Sequence, residues 1–286
     1  MMNYVSAETL ADAVRLQKET GYAFLAGGTD VYPALEHGWR PKGLLDISRL
    51  PELSGGIRAQ GGWWVIPAMT TWAQVAQAQL PPQFDGLRAA AAEVGGRQIQ
   101  NQGTVAGNIC NASPAADGVT ALIGLDARVV VAGAAGEHEV PLQEFVLGNR
   151  RTAARSGELV TSVKVPAASG PHGSSFSKHG SRRYLVISLV MTAAFIEADA
   201  LGRVARCCIA VGACAPRSLR LVAAEARLTG MSLGQAAAFS LAGAELDVLT
   251  PIDDVRATAA FRRRMARELV ERDIRSIALQ LQSDRH

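Results

Sequence analysis

The stretch Gln102-Gly103-Thr104-Val105-Ala106-Gly107-Asn108-Ile109-Cys110-Asn111-Ala112-Ser113-Pro114-Ala115-Ala116-Asp117 decides how the rest of the chain is read. It lies within residues 95–118, a run dense in Gly, Asn, Gln, Ser and Pro that carries almost no charge. A surface loop of that length ordinarily carries Lys and Glu. A long, neutral, hydrogen-bonding loop predicts instead a segment that holds a ligand. Gly103 and Gly107 permit a folded-back backbone, and Thr104, Asn108, Asn111 and Ser113 supply neutral donors and acceptors. Asp117 can accept from a sugar hydroxyl or another polar group. The same residues also suit a buried turn whose Asn side chains satisfy its own backbone, and composition leaves both readings open.

Upstream, Tyr22–Leu25 is a short apolar run that enters Ala26-Gly27-Gly28-Thr29-Asp30, a strand leading into a glycine turn. Successive N–H groups in such a turn form a concavity suited to phosphate oxygens, and Thr29 adds a hydroxyl. A plain strand–turn–helix junction with Asp30 near the helix cap fits the same residues. The pattern is not G-x-G-x-x-G, so a Rossmann unit is not indicated. Residues 6–18 read as a helix capped by Ser6, residues 31–36 as a short helix and residues 43–47 as a buried strand. Strands are expected over 61–69, 127–132 and 158–165, and helices over 71–79 and 84–94.

Residues 167–175 read as a linker, dividing the chain into 1–168, with subdomains at about 1–55 and 56–168, and 176–286. Beyond it, residues 176–184, 188–198 and 205–211 read as successive strands of an antiparallel sheet. Residues 219–228, 234–244 and 257–280 follow as helices, an order that gives an α+β domain. Lys178-His179-Gly180-Ser181-Arg182-Arg183 lies just past the linker, either as a charged hairpin end or as a source of a cation for a ligand held by the first part.

Composition narrows the function classes. The 286 residues are 48% hydrophobic and 19% charged, as in an ordinary globular protein, with enough chain to bury a core. A net charge of +3 and 5% aromatics argue against nucleic acid as a partner. Arg262, Arg263, Arg264 and Arg267 are expected on the solvated face of a helix. Four cysteines without C-x-x-C spacing, with Cys207 and Cys208 pointing to opposite faces of a strand, make neither a disulfide framework nor a metal site. The five histidines are scattered, no G-x-S-x-G elbow occurs, and no acid–base pair stands out, so no self-contained hydrolase is indicated. No apolar segment follows the N-terminus and no run reaches membrane-spanning length, so a cytoplasmic protein without membrane insertion is expected.

Taken together, AGGTD at 26–30, QNQGTVAGNICNASPAAD at 100–117, KHGSRR at 178–183 and VGACAPRSLR at 211–220 resemble the FAD-binding medium subunit of the molybdenum hydroxylases. This is the family of the flavin subunits of xanthine and carbon monoxide dehydrogenases. The resemblance covers nearly the whole chain and implies an α+β protein. Its two-subdomain FAD-binding fold, of the PCMH/vanillyl-alcohol-oxidase type, would be followed by a smaller α+β C-terminal domain of antiparallel sheet plus helices. It implies that Leu25, Ala26, Gly27, Gly28, Thr29, Asp30, Val31 and Tyr32 wrap the pyrophosphate of FAD. Thr104, Gly107, Asn108 and Asp117 would bind the rest of the cofactor, Val94 and Val160 would lie near the isoalloxazine, and Lys178 would approach the ring edge. It further implies a large subunit with a molybdenum cofactor, a small subunit with [2Fe-2S] clusters, and an external acceptor: NAD, a quinone, a carrier protein or oxygen. In this chain the flavin carries the chemistry, and no side chain need act as a catalytic acid or base. Two departures from the family pattern stand out. Asp30 replaces a small polar residue, and its charge must turn away from a pyrophosphate. Ala106 stands where relatives have Gly, so an ordinary φ is expected there.

Overall fold

The computed structural model describes residues 2–182 and 186–285. Arg183 and Tyr184, which end the KHGSRR signature and the strand expected over 176–184, lie outside the described residues, as do Met1, Leu185 and His286.

The first layer is built by β1 (Asn3–Ser6), α1 (Leu10–Thr20), β2 (Ala23–Leu25), α2 (Val31–Glu36) and β3 (Gly43–Asp46). Its strands form a parallel three-stranded sheet in the order β1-β3-β2. The helix expected to begin at Ser6 begins later. Ser6 is spent in β1 opposite Asp46, and Thr9 is the cap, its hydroxyl accepting from the Asp12 N–H at 3.1 Å. The β3 run GLLD is buried throughout, as its apolar sequence predicts.

The second layer carries β4 (Arg58–Gln60), β5 (Trp63–Pro67), α3 (Trp72–Gln77), α4 (Asp85–Glu93), α5 (Arg97–Gln102), α6 (Val105–Asn111) and α7 (Asp117–Ile123). It continues with β6 (Arg128–Gly133), β7 (Gly136–Pro141), α8 (Leu142–Phe145), β8 (Val146–Gly148), β9 (Arg151–Thr152) and β10 (Leu159–Pro166). Its main sheet is antiparallel with order β4-β5-β10-β6-β7. The stretch 95–118 is therefore not a continuous loop. Thr104 caps α6 by accepting from the Gly107 N–H at 3.0 Å, and this local bond outweighs the low helix propensity of Gly107 and Asn108. Ala106 sits inside α6 and is not among the residues with positive φ, as expected.

The remaining chain forms β11 (His172–His179), β12 (Val190–Ala198), β13 (Val204–Gly212), β14 (Leu219–Arg220), α9 (Val222–Leu228), α10 (Leu233–Ala237) and α11 (Ala259–Ser283). The sheet is an antiparallel meander, β11-β12-β13-β14. The expected linker is shorter than its composition implied, because His172–Ser175 already pair with β12. Two helical expectations also shorten: Leu219 and Arg220 pair with β13, and α10 ends at Ala237.

Every residue of β12 is buried, because α11 covers one face of the sheet and the first part of the molecule covers the other. The strand period of two divides β13 between two cores. Cys208 and Ala210 join the first, and Cys207, Ile209 and Val211 join the second. α11 is fixed to the sheet by Asp273, whose buried carboxylate accepts from Ser175 Oγ at 3.0 Å, Ser177 Oγ at 2.5 Å and Thr192 Oγ1 at 2.6 Å. Of the four arginines expected on a solvated face of α11, Arg264 is exposed, but the other three are turned to the protein. Arg262 is buried and binds the Leu189 carbonyl and Asp254, while Arg263 and Arg267 reach the Leu249 and Leu241 carbonyls. They neutralise and tie down the connections that precede the helix.

Candidate functional site

The glycine turn after β2 and the segment before α6 meet face to face. A Cβ built on Gly27 would lie 1.8 Å from the Gln102 carbonyl oxygen, so only glycine lets the two backbones approach this closely. Gly28 has φ +71°, the left-handed region, and the Tyr32 ring folds back over it. The cleft between the segments is a narrow compartment of about 110 Å³. Residues 26–31 form one wall, and Val94, Ile99, Thr104, Gly107 and Asn108 form the other.

Asp30, Val94 and Asn108 also line a wider compartment of about 400 Å³, which makes the two parts of one groove. The far wall of the wider part holds Asp117, Lys178 and Ile187. Its volume falls within the range of roughly 300–1,000 Å³ usual for small-molecule sites.

The electrostatics of the narrow part rest on one charge. Asp30 occupies the N-cap position of α2, yet its side chain makes no capping bond there. It accepts instead from Asn111 Nδ2 at 2.9 Å and lies 4.0 Å from Arg150, which also binds Asn111 Oδ1. Its carboxylate is thus engaged across the groove, and the first N–H groups of α2 are left without a side-chain cap. Asn108 Oδ1 is buried with no hydrogen-bond partner among the described residues, at the junction of the two compartments. A buried acceptor left unmade costs about 1–3 kcal/mol, so its position points to a ligand donor. Neutral donors, close-packed glycines and an unmatched amide oxygen fit a dinucleotide cofactor.

The expected ligand residues divide in three ways. Ala26, Gly27, Gly28, Thr29, Asp30, Val31, Val94, Thr104, Gly107, Asn108, Asp117 and Lys178 are brought together along the groove. Leu25 is buried beneath the turn, and Tyr32 is half exposed on its outer side. Val160 is packed into the first core opposite Val131, because β10 turns this residue into the sheet interior rather than toward the groove. Asp117 is already engaged with the protein. Its Oδ2 accepts from Lys178 Nζ at 2.7 Å and its Oδ1 from Ser188 Oγ at 2.7 Å. Burial pushes its carboxyl pKa up, against the pull of the Lys178 ammonium and the two hydrogen bonds. Sequence reasoning passed over Ser188, Asn111 as the partner of Asp30, and Arg150, which lie far apart in sequence from the residues they serve.

The signature at 211–220 does not touch the groove but carries its supports. Ser218 Oγ meets Thr120 Oγ1 of α7 at 2.7 Å, and the Ala213 N–H donates to the Pro114 carbonyl at 3.0 Å. Both contacts steady the segment that presents Asp117. Among the described residues no cluster of three or more His, Cys, Asp or Glu is placed to hold a metal, and no helix is long and apolar enough to cross a membrane.

The fold is of α+β class, with a groove between two glycine-bearing segments. Residues 1–168 match the family described as "FAD binding domain in molybdopterin dehydrogenase", and residues 175–277 match the "CO dehydrogenase flavoprotein C-terminal domain". The chain is 30% identical over 277 residues to the carbon monoxide dehydrogenase medium chain of Hydrogenophaga pseudoflava, covering 94% of each. It is 30% identical over 276 residues to the xanthine dehydrogenase FAD-binding subunit of Escherichia coli O157:H7, covering 95% of this chain and 94% of the relative. Among solved structures, a chain of the carbon monoxide dehydrogenase of Hydrogenophaga pseudoflava superposes with a TM-score of 0.86 at 28% identity, covering 98% of both. The chain belongs to the family of FAD-binding medium subunits of the molybdenum hydroxylases.

Proposed function

We propose that this chain holds FAD in the groove and serves as the electron-relaying subunit of a heteromeric, cytoplasmic, molybdenum-containing dehydrogenase or hydroxylase. The observation that carries the reading is the unpartnered, buried Asn108 Oδ1 at the junction of the compartments. Ala26–Val31 together with Thr104, Gly107 and Asn108 would hold the pyrophosphate and sugar parts, using backbone N–H groups and neutral side chains. Leu25 and Tyr32 shape that turn from behind. Val94 and Lys178 would flank the ring in the wider part, with the cation at the ring edge. Bound there, FAD would accept electrons delivered from [2Fe-2S] clusters of a small subunit and release them to NAD, a quinone, a carrier protein or oxygen. Substrate would be oxidised at a molybdenum cofactor in a large subunit. The designations "medium chain" and "subunit" in the relatives' names support a multi-chain assembly.

The test is an absorption spectrum of protein purified from its native host, with metal analysis on the same sample. Flavin bands with iron, molybdenum and two further polypeptides are expected. Flavin alone, on a lone chain that turns over a substrate, would replace this reading with that of a free-standing flavoenzyme. Gly107→Trp adds a second check. A Cβ at Gly107 already lies 2.7 Å from Thr104 Oγ1, and an indole at this position would fill the narrow compartment of about 110 Å³. A folded variant with less than a tenth of the wild-type flavin content is expected, read by absorbance after denaturation.

A further inference from the structure

We propose that Asp117 is a positioning residue, whose carboxylate clamps the Lys178 ammonium and the Ser188 hydroxyl so that a fixed positive charge borders the ring end of the groove. The inference rests on the reading of the groove as a flavin site. It assigns Asp117 a different part from that of a direct cofactor ligand.

The geometry carries it. Each carboxylate oxygen already accepts from a protein donor, Lys178 Nζ on one and Ser188 Oγ on the other, both at 2.7 Å. The two donors stand at opposite ends of the β11–β12 connection, so one side chain of α7 pins both ends of it. The base of the connection is closed by the Leu189 N–H, which donates to the His179 carbonyl at 2.9 Å. The lysine and aspartate side chains are 10% and 8% exposed. A buried ammonium that loses its carboxylate either gives up its proton or swings toward water, and both remove the positive charge from the groove. Among the described residues, the other charged and titratable groups lining the two cavities that Lys178 borders are Glu93 of α4 and Asp30, with His179 and Arg182 across the adjoining cavity. Charge beside the ring tunes a flavin, because reduction adds electrons there.

The experiment is a redox titration of the flavin in the assembled complex, with FAD content measured in parallel. Lys178→Met is expected to disfavour the reduced flavin at least tenfold, a fall of about 30 mV for a two-electron couple. Asp117→Asn is expected to move the potential in the same direction. In the Lys178→Met background the unpaired, buried Asp117 carboxyl takes up a proton, so adding Asp117→Asn should cause no further shift. Lys178→Arg keeps the charge and should stay within threefold of wild type.

Flavin bound at full occupancy with an unchanged potential in Asp117→Asn overturns the clamp, and so does a rise in that variant. Absence of flavin from the wild-type complex would instead overturn the site itself. If Asp117→Asn does not assemble, the wild-type complex decides. A fixed cation lets two-electron reduction take up one proton at pH 6, a tenfold change per pH unit or about 30 mV. Uptake of two protons at that pH, a hundredfold change per unit, overturns the proposal.

Discussion

Replacing Gly27 with valine should abolish flavin binding while leaving the chain folded. A Cβ at this position meets the Gln102 carbonyl oxygen at 1.8 Å and its carbon at 2.7 Å. Backbone cannot rotate out of the way as a side chain can, so the glycine turn and the end of α5 must separate by more than an ångström. The narrow compartment is bounded by those two segments, and its walls would no longer reach one ligand together. A loss of affinity of about a hundredfold or more is expected, since several donors are displaced at once at about 1 kcal/mol or more each. Flavin content after denaturation, with far-ultraviolet circular dichroism as the fold control, checks it. Gly28→Ala is the informative contrast. Its neighbour is the Tyr32 ring, which can move, and the remaining cost is the strain of alanine at φ +71°. That variant should keep flavin with weaker affinity. A Gly27→Val protein that retains stoichiometric flavin would refute the role given to this close approach.

The second large effect concerns stability. Glu197 of β12 receives the segment that joins the two parts of the chain. Its Oε1 accepts from the Ser169 N–H at 2.7 Å, Ser169 Oγ at 2.9 Å and the Gly170 N–H at 2.8 Å, and its Oε2 from Arg206 Nε at 3.0 Å. Burial by itself would raise the carboxyl pKa, but the two N–H groups, the hydroxyl and the guanidinium outweigh it and hold the group at about 2, against an ordinary 4.5. A depression of that size corresponds to roughly 2–3 kcal/mol of stability, with the lower end favoured because Arg206 is partly exposed. Glu197→Gln should lose that amount at pH 7 in urea unfolding. The folded pKa lies below the unfolded one, so the contribution is complete above about pH 4.5 and disappears as pH falls toward 2. Wild-type and variant stabilities should therefore converge across that window and run parallel above it. Curves that stay equally far apart down to pH 2 would show that the carboxylate is not the source.

Local periodicity was enough to read much of this molecule. β12 and β13 are mostly apolar stretches of strand length, and α11 repeats its buried positions every three or four residues. The glycine turn at 26–30 and the groove residues of 104–108 were legible from glycine and neutral donors. Reading failed where a long-range partner decides. Ser6 suits a helix cap until Asp46 claims its backbone for a strand. Gly107 and Asn108 look like a loop until Thr104 caps a helix over them. Asp117 looks free to bind a sugar hydroxyl, and only the fold brings Lys178 and Ser188 to it across 61 and 71 residues. Arg262 looks solvated because nothing local shows that Leu189 and Asp254 will surround it.

The alternation along β12 and β13 has a thermodynamic consequence. Phe195, Cys208 and Ala210 complete the interior of the first part of the chain, while Ile196, Cys207 and Ile209, their neighbours on the same strands, complete that of the second. One sheet is thus a party wall, and neither half can melt without stripping the other of a face. Heating should produce one calorimetric transition rather than two, with equal calorimetric and van't Hoff enthalpies. A cut after residue 168 would leave two fragments that recover native secondary structure only when mixed, each holding half of a shared interior.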